Sequence, residues 1–303
     1  MYLPQNYISK IKMFVPAHLL AEDSSCIVPV YIGLYMMADM NKCDWMRRKT
    51  TLLELCKNTT FFNSNDIRKR HVDAVKAALD KLEEFGYIKC YGRADNPKAV
   101  FEFDFTKDVS AVSKLYAING KNLISIIEFY EFKILWEKLV RSDKNGCAAL
   151  TSLRVYLALK IYAECWKNQH KHMEIPVFVG CYRNIVQLLN ISQTTMKECI
   201  KELRELGLIL TTYCKHTNSN DKRKGITTII IVFTALCVGI DAEKLTEQVE
   251  LVLENEGYSV TWYKPGWTLS IAKAVSENQD RNIDNVLDIV PDDPITYGAE
   301  DIF

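Results

Sequence analysis

Between residues 151 and 168 apolar side chains recur at helical spacing, with Leu153, Tyr156, Leu157, Leu159 and Ile161 marking a first helix. Residues 174–180 read as a short extended piece, and residues 183–190 as a short second helix. Asn190, Ile191 and Ser192 form a turn, with the Ser192 hydroxyl placed to cap a third helix. Met196, Ile200, Leu203 and Gly207 fall on one stripe of that helix. Gly207 stops it, because a helix end commonly needs a left-handed residue. Two extended segments come next: 208–215, rich in Thr, Ile and Tyr, and 226–234, strongly β-branched. The polar stretch 216–225 joins them as a hairpin tip. The predicted order is helix, short strand, helix, turn, helix, strand, basic loop, strand.

The same pattern occurs earlier in the chain. Val-Tyr-Ile-Gly-Leu-Tyr-Met-Met-Ala-Asp at 30–39 resembles Val-Tyr-Leu-Ala-Leu-Lys-Ile-Tyr-Ala-Glu at 155–164. Lys-Leu-Glu-Glu-Phe-Gly-Tyr-Ile at 81–88 resembles Glu-Leu-Arg-Glu-Leu-Gly-Leu-Ile at 202–209. Two matches in the same order, at nearly constant offset, indicate one structural unit used twice. The offset is far longer than a solenoid repeat, so the unit is a domain. In the first copy, 27–40 is the first helix, Thr50 and Thr51 cap a second at 52–57, and a longer linker, 58–65, replaces the tight turn. Asp66 is expected to cap a third helix with Val72, Val75, Leu79 and Leu82 as its buried stripe. Gly86 ends it, and 87–91 and 100–105 form a hairpin around the loop 92–98.

Between the copies, 122–140 is dense in Ile, Phe, Trp and Leu and reads as helical or as an extended lead-in, placed at an interdomain or dimer contact. After the second hairpin, Leu245, Val249 and Leu253 mark an amphipathic helix over 241–256. The expected divisions are 1–106, a linker at 107–146, 147–240, an extension at 241–277, and 278–303.

The formal net charge is zero over 303 residues, but it is unevenly spread. Residues 276–303 hold eight acidic residues and one base, Arg281, which leaves 37 basic against 30 acidic in the rest. A mildly basic body suits a phosphate-bearing partner. The acidic stretch, with two prolines and few large apolar residues, is expected to be disordered from about residue 278. The ten cysteines contain no C-x-x-C pair and read as reduced thiols of a cytoplasmic protein. No long apolar run predicts a membrane span, and residues 1–6 do not read as a secretion signal.

Catalytic patterns are missing. The twelve glycines form no phosphate-binding loop. The closest histidines, His170 and His172, lie near Cys165 and Cys181, but not in the paired spacing of zinc ligands. The expectation is therefore no enzyme, no metal and no cofactor.

Candidate chemistry sits on the third helices and the hairpin tips. Opposite Met196, Ile200 and Leu203 lie Thr194, Lys197, Glu198 and Lys201, with Gln193 at the free tip. Gln pairs with adenine edges and Lys with guanine edges. In the first copy the basic cluster is Arg68, Lys69, Arg70 and His71, interleaved with Asp66 and Asp73. Lys222, Arg223 and Lys224 at one hairpin tip, Arg93 and Lys98 at the other, and Arg47, Arg48 and Lys49 before the second helix are candidate phosphate contacts, which position a protein without reading sequence. A solvated polar face is the alternative for each set.

Residues 184–209 resemble the helix-turn-helix of the winged-helix superfamily: a leucine-containing second helix, a turn capped by serine, and a third helix closing on Leu206, Gly207, Leu208 and Ile209. The looser likeness covers 16–234. It implies a mainly α, α+β chain of two winged helix-turn-helix domains in tandem, followed by the acidic segment. Two such domains in one chain resemble the replication initiators of plasmids and phages and phage replisome organisers. That resemblance implies sequence-specific binding of double-stranded DNA, with recognition helices in major grooves, and a first domain that forms a homodimer. A transcription regulator is the alternative, and a winged-helix protein-interaction scaffold a second. The missing tight turn in the first copy favours protein contact there. The last residues, Ala299-Glu-Asp-Ile-Phe303, resemble the acidic, aromatic tip that single-stranded DNA-binding proteins offer to replication partners.

Overall fold

A computed structural model describes residues 12–22, 26–37, 47–59, 67–106, 108–118, 121, 123–128, 132, 135, 139, 146–169, 177–216, 226–232, 246–247, 249–251, 254 and 258–261. The chain is α+β, with small antiparallel sheets among its helices. Its contacts divide it into two compact units, 1–158 with 188–190, and 159–187 with 191–303.

The first unit begins with β1 (Lys12–Pro16), α1 (Ala17–Ala21) and α2 (Ile27–Met37). Next come β2 (Arg47–Thr51), α3 (Leu52–Thr59), α4 (Lys69–Glu84), β3 (Ile88–Tyr91) and β4 (Val100–Phe105). α5 (Val109–Leu115) and β5 (Ile124–Glu128) follow. β4 is the central strand of a three-stranded sheet, with β2 and β3 antiparallel on either side. Alternation along β4 explains its face: Phe101, Phe103 and Phe105 are buried, while Val100 is exposed and Glu102 and Asp104 are half-buried. They join Tyr31 of α2, Val75, Leu79 and Leu82 of α4, and Tyr87 in the core. Val72, expected in this stripe, is only half-buried, and His71 is buried one position earlier.

Three features differ from the sequence reading. Arg47, Arg48 and Lys49 are not an irregular approach to a helix but the start of β2, in register with Asp104, Phe103 and Glu102. The strand has no apolar residue, so period-two hydrophobicity could not reveal it. Thr51 does cap α3, its hydroxyl accepting the Glu54 amide at 3.0 Å. α4 starts at Lys69 with Arg68 at the cap position, not at Asp66, which lies outside the described residues. The Arg68 amide donates instead to Nδ1 of His71 at 3.1 Å. Finally, the expected linker 107–146 supplies α5 and β5, and β5 pairs antiparallel with β1, Lys12 opposite Glu128 and Pro16 opposite Ile124.

Next in the chain are α6 (Gly146–Gln169), which the division crosses after residue 158, β6 (Val177–Gly180), α7 (Arg183–Leu189), α8 (Gln193–Glu205), β7 (Ile209–His216), β8 (Ile226–Val232) and β9 (Tyr258–Thr261). The sheet order is β6-β8-β7-β9, all antiparallel. Leaving β9 aside, this is the arrangement β2-β4-β3 again: the last strand of the motif lies between the first and second. Both expected hairpins form, β3 with β4 and β7 with β8.

α4 and α8 also end alike. Gly86 (φ 77°) and Gly207 (φ 65°) take the left-handed conformation. Around Gly86, the Tyr87 amide donates to the Leu82 carbonyl at 3.0 Å and the Gly86 amide to Glu83 at 2.9 Å. Around Gly207, the Leu208 amide donates to Leu203 and the Gly207 amide to Arg204, both at 2.9 Å. This is a Schellman closure at both helices, with the flanking apolar pair buried each time. It accounts for the repeated Leu-x-Glu-x-Gly pattern.

Of the helix expected over 241–256, residues 246, 247, 249–251 and 254 are helical; Val249 is buried and Leu251 exposed. Leu245, Leu253 and the acidic segment lie outside the described residues. Among the described residues no helix is long and apolar enough to cross a membrane.

Candidate nucleic-acid interface

α8 is held in place from its N-terminal end. Asn190 takes a left-handed conformation (φ 50°), turning the chain sharply after α7. The Ile191 amide closes that turn on the Val186 carbonyl at 3.2 Å. Ser192 is extended (φ −75°, ψ 158°), and its Oγ accepts the Thr195 amide at 3.0 Å and lies 2.8 Å from the Thr195 hydroxyl. The cap satisfies an amide that the helix itself leaves open.

Met196, Cys199, Ile200 and Leu203 are buried, which turns the opposite face outward. Gln193, Thr194, Glu198 and Lys201 are exposed, and Lys197 is half-buried. Side chains of the groove-reading type therefore share one solvent-facing strip of α8. Sequence reasoning missed two features near it. Glu202 and Arg204, polar residues on a surface helix, are buried. Arg183 is exposed and begins α7, at the end of that helix away from the Asn190 turn. Lys222, Arg223 and Lys224 lie outside the described residues.

The equivalent region of the first unit is built differently. Arg68, Lys69 and Arg70 are exposed at the N-terminal end of α4. Further along α4 the cations are engaged with the hairpin loop. Lys76 Nζ lies 2.9 Å from Asp95 Oδ1, which holds the Asp95 carboxyl below the usual carboxylate range. Arg93 forms an ion pair with Asp80 and lies 3.5 Å from Glu83. The Pro97 carbonyl accepts the Leu53 amide of α3 at 2.9 Å. The loop is thus tied to its own helices, and Arg93, a candidate phosphate contact, already faces two carboxylates.

Lys98 is exposed, its amide donating to Asn96 Oδ1 at 3.0 Å. Lys49 is exposed and pairs with Glu102, its cross-strand neighbour, at 3.0 Å. Arg48 is only 4% exposed, so it belongs to the packing of the sheet rather than to a surface that meets phosphates. The side chain of Arg47 is not described.

The first unit buries several ionisable groups. His18 stacks on Tyr87 and Tyr116 with centroids at 5.2 and 4.5 Å, and meets the edge of Phe85. Its Nδ1 is 3.2 Å from the Tyr87 hydroxyl, and its buried Nε2 finds no partner among the described residues. Burial lowers its pKa to about 4, against the opposing pull of Glu22. Burial also pushes the Cys56 thiol up to about 11 and the Cys90 thiol up to about 12, which makes both poor nucleophiles. Among the described residues no three His, Cys, Asp or Glu side chains group as metal ligands.

No protein-family model matches the chain, and no curated protein resembles it in sequence.

Proposed function

We propose that this chain is a sequence-specific double-stranded DNA-binding protein that uses two winged helix-turn-helix domains in tandem. The observation that carries the reading is α8: capped by Ser192, buried through Met196, Ile200 and Leu203, and exposing Gln193, Thr194 and Lys201 on one strip. A short helix and a tight turn precede it, and a hairpin comes after it, the arrangement in which a third helix enters a major groove. Gln193, Thr194, Lys197 and Lys201 then meet base edges and the groove wall. Arg183 and the sequence triplet Lys222, Arg223 and Lys224 neutralise phosphates.

The repeated strand order supports a second domain of the same kind in the first unit. There the fixed hairpin loop favours a different emphasis. With Lys76 and Arg93 engaged by Asp95, Asp80 and Glu83, duplex contact is confined to Arg68, Lys69, Arg70 and Lys98. The rest of the unit suits contact with another protein, including a second copy of this chain.

The biological setting proposed is replication initiation on a mobile element, with transcription regulation as the alternative. Selection from a random duplex pool tests the reading. A consensus that loses definition at one position in Gln193→Ala supports it, and failure to enrich any sequence contradicts it. Permanganate reactivity beside the selected sites separates the settings: an initiator opens flanking A·T-rich duplex and a regulator leaves it closed.

A further inference from the structure

We infer that Arg154 is a positioning residue for α8: by holding the Leu20 and Leu189 carbonyls it fixes the turn from which that helix starts, and so sets how sharply the chain discriminates among duplex sequences. This role rests on the proposed function of α8 and places its control in a residue outside the interface.

Arg154 lies on α6 and is buried, only 8% exposed. Its Nε donates to the Leu20 carbonyl at 2.7 Å and its Nη2 to the Leu189 carbonyl at 2.9 Å. Leu20 stands in the last turn of α1, and Leu189 is the last residue of α7. The closing carbonyls of a helix have no intrahelical donor. One edge of a planar guanidinium therefore satisfies the ends of two helices at once, a geometry that a single ammonium does not offer. Arginine keeps its charge when buried, so these bonds are stronger than neutral ones and costly to leave unmade. All three residues belong to the first compact unit, which takes in 1–158 and 188–190.

Only Asn190, Ile191 and Ser192 separate Leu189 from α8. Asn190 is left-handed, the Ile191 amide returns to Val186, and Ser192 caps the helix. Leu189 is thus the fixed end of a short, fully bonded turn, and a shift of its peptide is passed on to Gln193 and Thr194. Base-edge contacts tolerate little displacement, since a recognition group must be held to about 0.5 Å. Phosphate contacts bind any sequence. Loss of the Arg154 bonds therefore removes discrimination before it removes affinity. The first copy of the motif supplies a contrast. Aligning Val30 with Val155 puts Pro29 at the position of Arg154, and proline has no side-chain donor. In that copy α3 ends at Thr59 and α4 begins at Lys69, so no tight turn joins them. The guanidinium fork and the tight turn occur together, before the helix whose exposed strip carries groove-reading side chains.

The experiment uses the full chain, Arg154→Lys, which keeps the charge without the fork, and Arg154→Met, which keeps the stem without a donor. Affinity is measured for the duplex that the parent selects and for a scrambled duplex of equal length, at one salt concentration. Hydrogen exchange is followed at the Ile191 and Thr195 amides, with the Tyr87 amide, bonded to the Leu82 carbonyl, as reference. The ratio of the two affinities is expected to fall about tenfold in both variants, with scrambled-duplex affinity close to the parent's. Ile191 and Thr195 are expected to exchange about tenfold faster, and Tyr87 at the parent rate. A role in stability alone would speed Tyr87 as well and scale both affinities together, and that result overturns the positioning role. So does a Lys variant with the parent's ratio and exchange rates, and both outcomes leave the DNA reading standing. A parent that selects no sequence overturns the DNA reading and the discrimination drawn from it. Exchange at Ile191 and Thr195 then decides the hold on the turn by itself, and unchanged rates overturn that too.

Discussion

The Ser192 hydroxyl accepts the Thr195 amide at 3.0 Å, and this single bond fixes where α8 begins and which residues stand at its free end. Gln193 and Thr194 are exposed because the cap ends the turn just before them. Removing the hydroxyl leaves that amide without its intrachain acceptor. Ser192→Ala is expected to lower stability by about 1 kcal/mol, read as a shift in urea midpoint at constant slope. Ser192→Asp, which keeps an acceptor, should recover most of the loss. Equal losses in both variants would show that the loss does not come from the missing acceptor.

The Schellman closure at Gly86 gives a second expectation. An added Cβ there meets nothing within 4 Å, so substitution acts through backbone conformation alone. Gly86→Ala is expected to cost about 1–2 kcal/mol, and Gly86→Asn less, because Asn tolerates φ near 77°. Denaturant midpoints check the order, and an Ala variant as stable as the parent contradicts it.

Both features were legible in the sequence because they are local: a serine before a stripe of apolar residues, and a glycine after it. The hairpins were legible too, since 100–105 alternates and 226–232 is β-branched. What escaped was set by distant partners. β2 is made of Arg47, Arg48, Lys49, Thr50 and Thr51, and is a strand only because β4 offers it an edge. β1 and β5 find each other across more than a hundred residues, and β9 joins β7 from beyond the hairpin. The candidate interface shows the same limit. The exposed strip of α8 followed from helical periodicity. The engagement of Arg93 and Lys76 by Asp80, Glu83 and Asp95, and the burial of Arg48, Glu202 and Arg204, depended on tertiary neighbours that spacing does not encode.

His18 gives the fold a pH dependence. Its pKa falls from 6.5 to about 4 because burial among Phe85, Tyr87 and Tyr116 disfavours the cation. The unfolded chain then binds a proton that the folded chain refuses. This contribution to stability is complete above about pH 6.5 and declines as pH drops towards 4. Comparing thermal midpoints at pH 7 and pH 5, His18→Phe should lose less stability on acidification than the parent. An identical pH profile would place His18 outside that linkage.

The hairpin triplet supplies a test of phosphate contact that does not involve base reading. Replacing Lys222, Arg223 and Lys224 with Ala is expected to weaken duplex binding for all sequences alike. It should also reduce the slope of log affinity against log salt by up to about 2.7. Selected consensus sites should remain unchanged. An unaltered slope would remove the triplet from the interface.

The most direct measurement is duplex affinity between about 50 and 200 mM salt for the parent chain and for Lys197→Ala/Lys201→Ala, two changes on the outward strip of α8. The account predicts that parent affinity falls linearly on logarithmic axes and that the double variant binds more weakly, with a slope shallower by up to about 1.8. A parent chain that binds no duplex, or a double variant with the parent's affinity and slope, would contradict it.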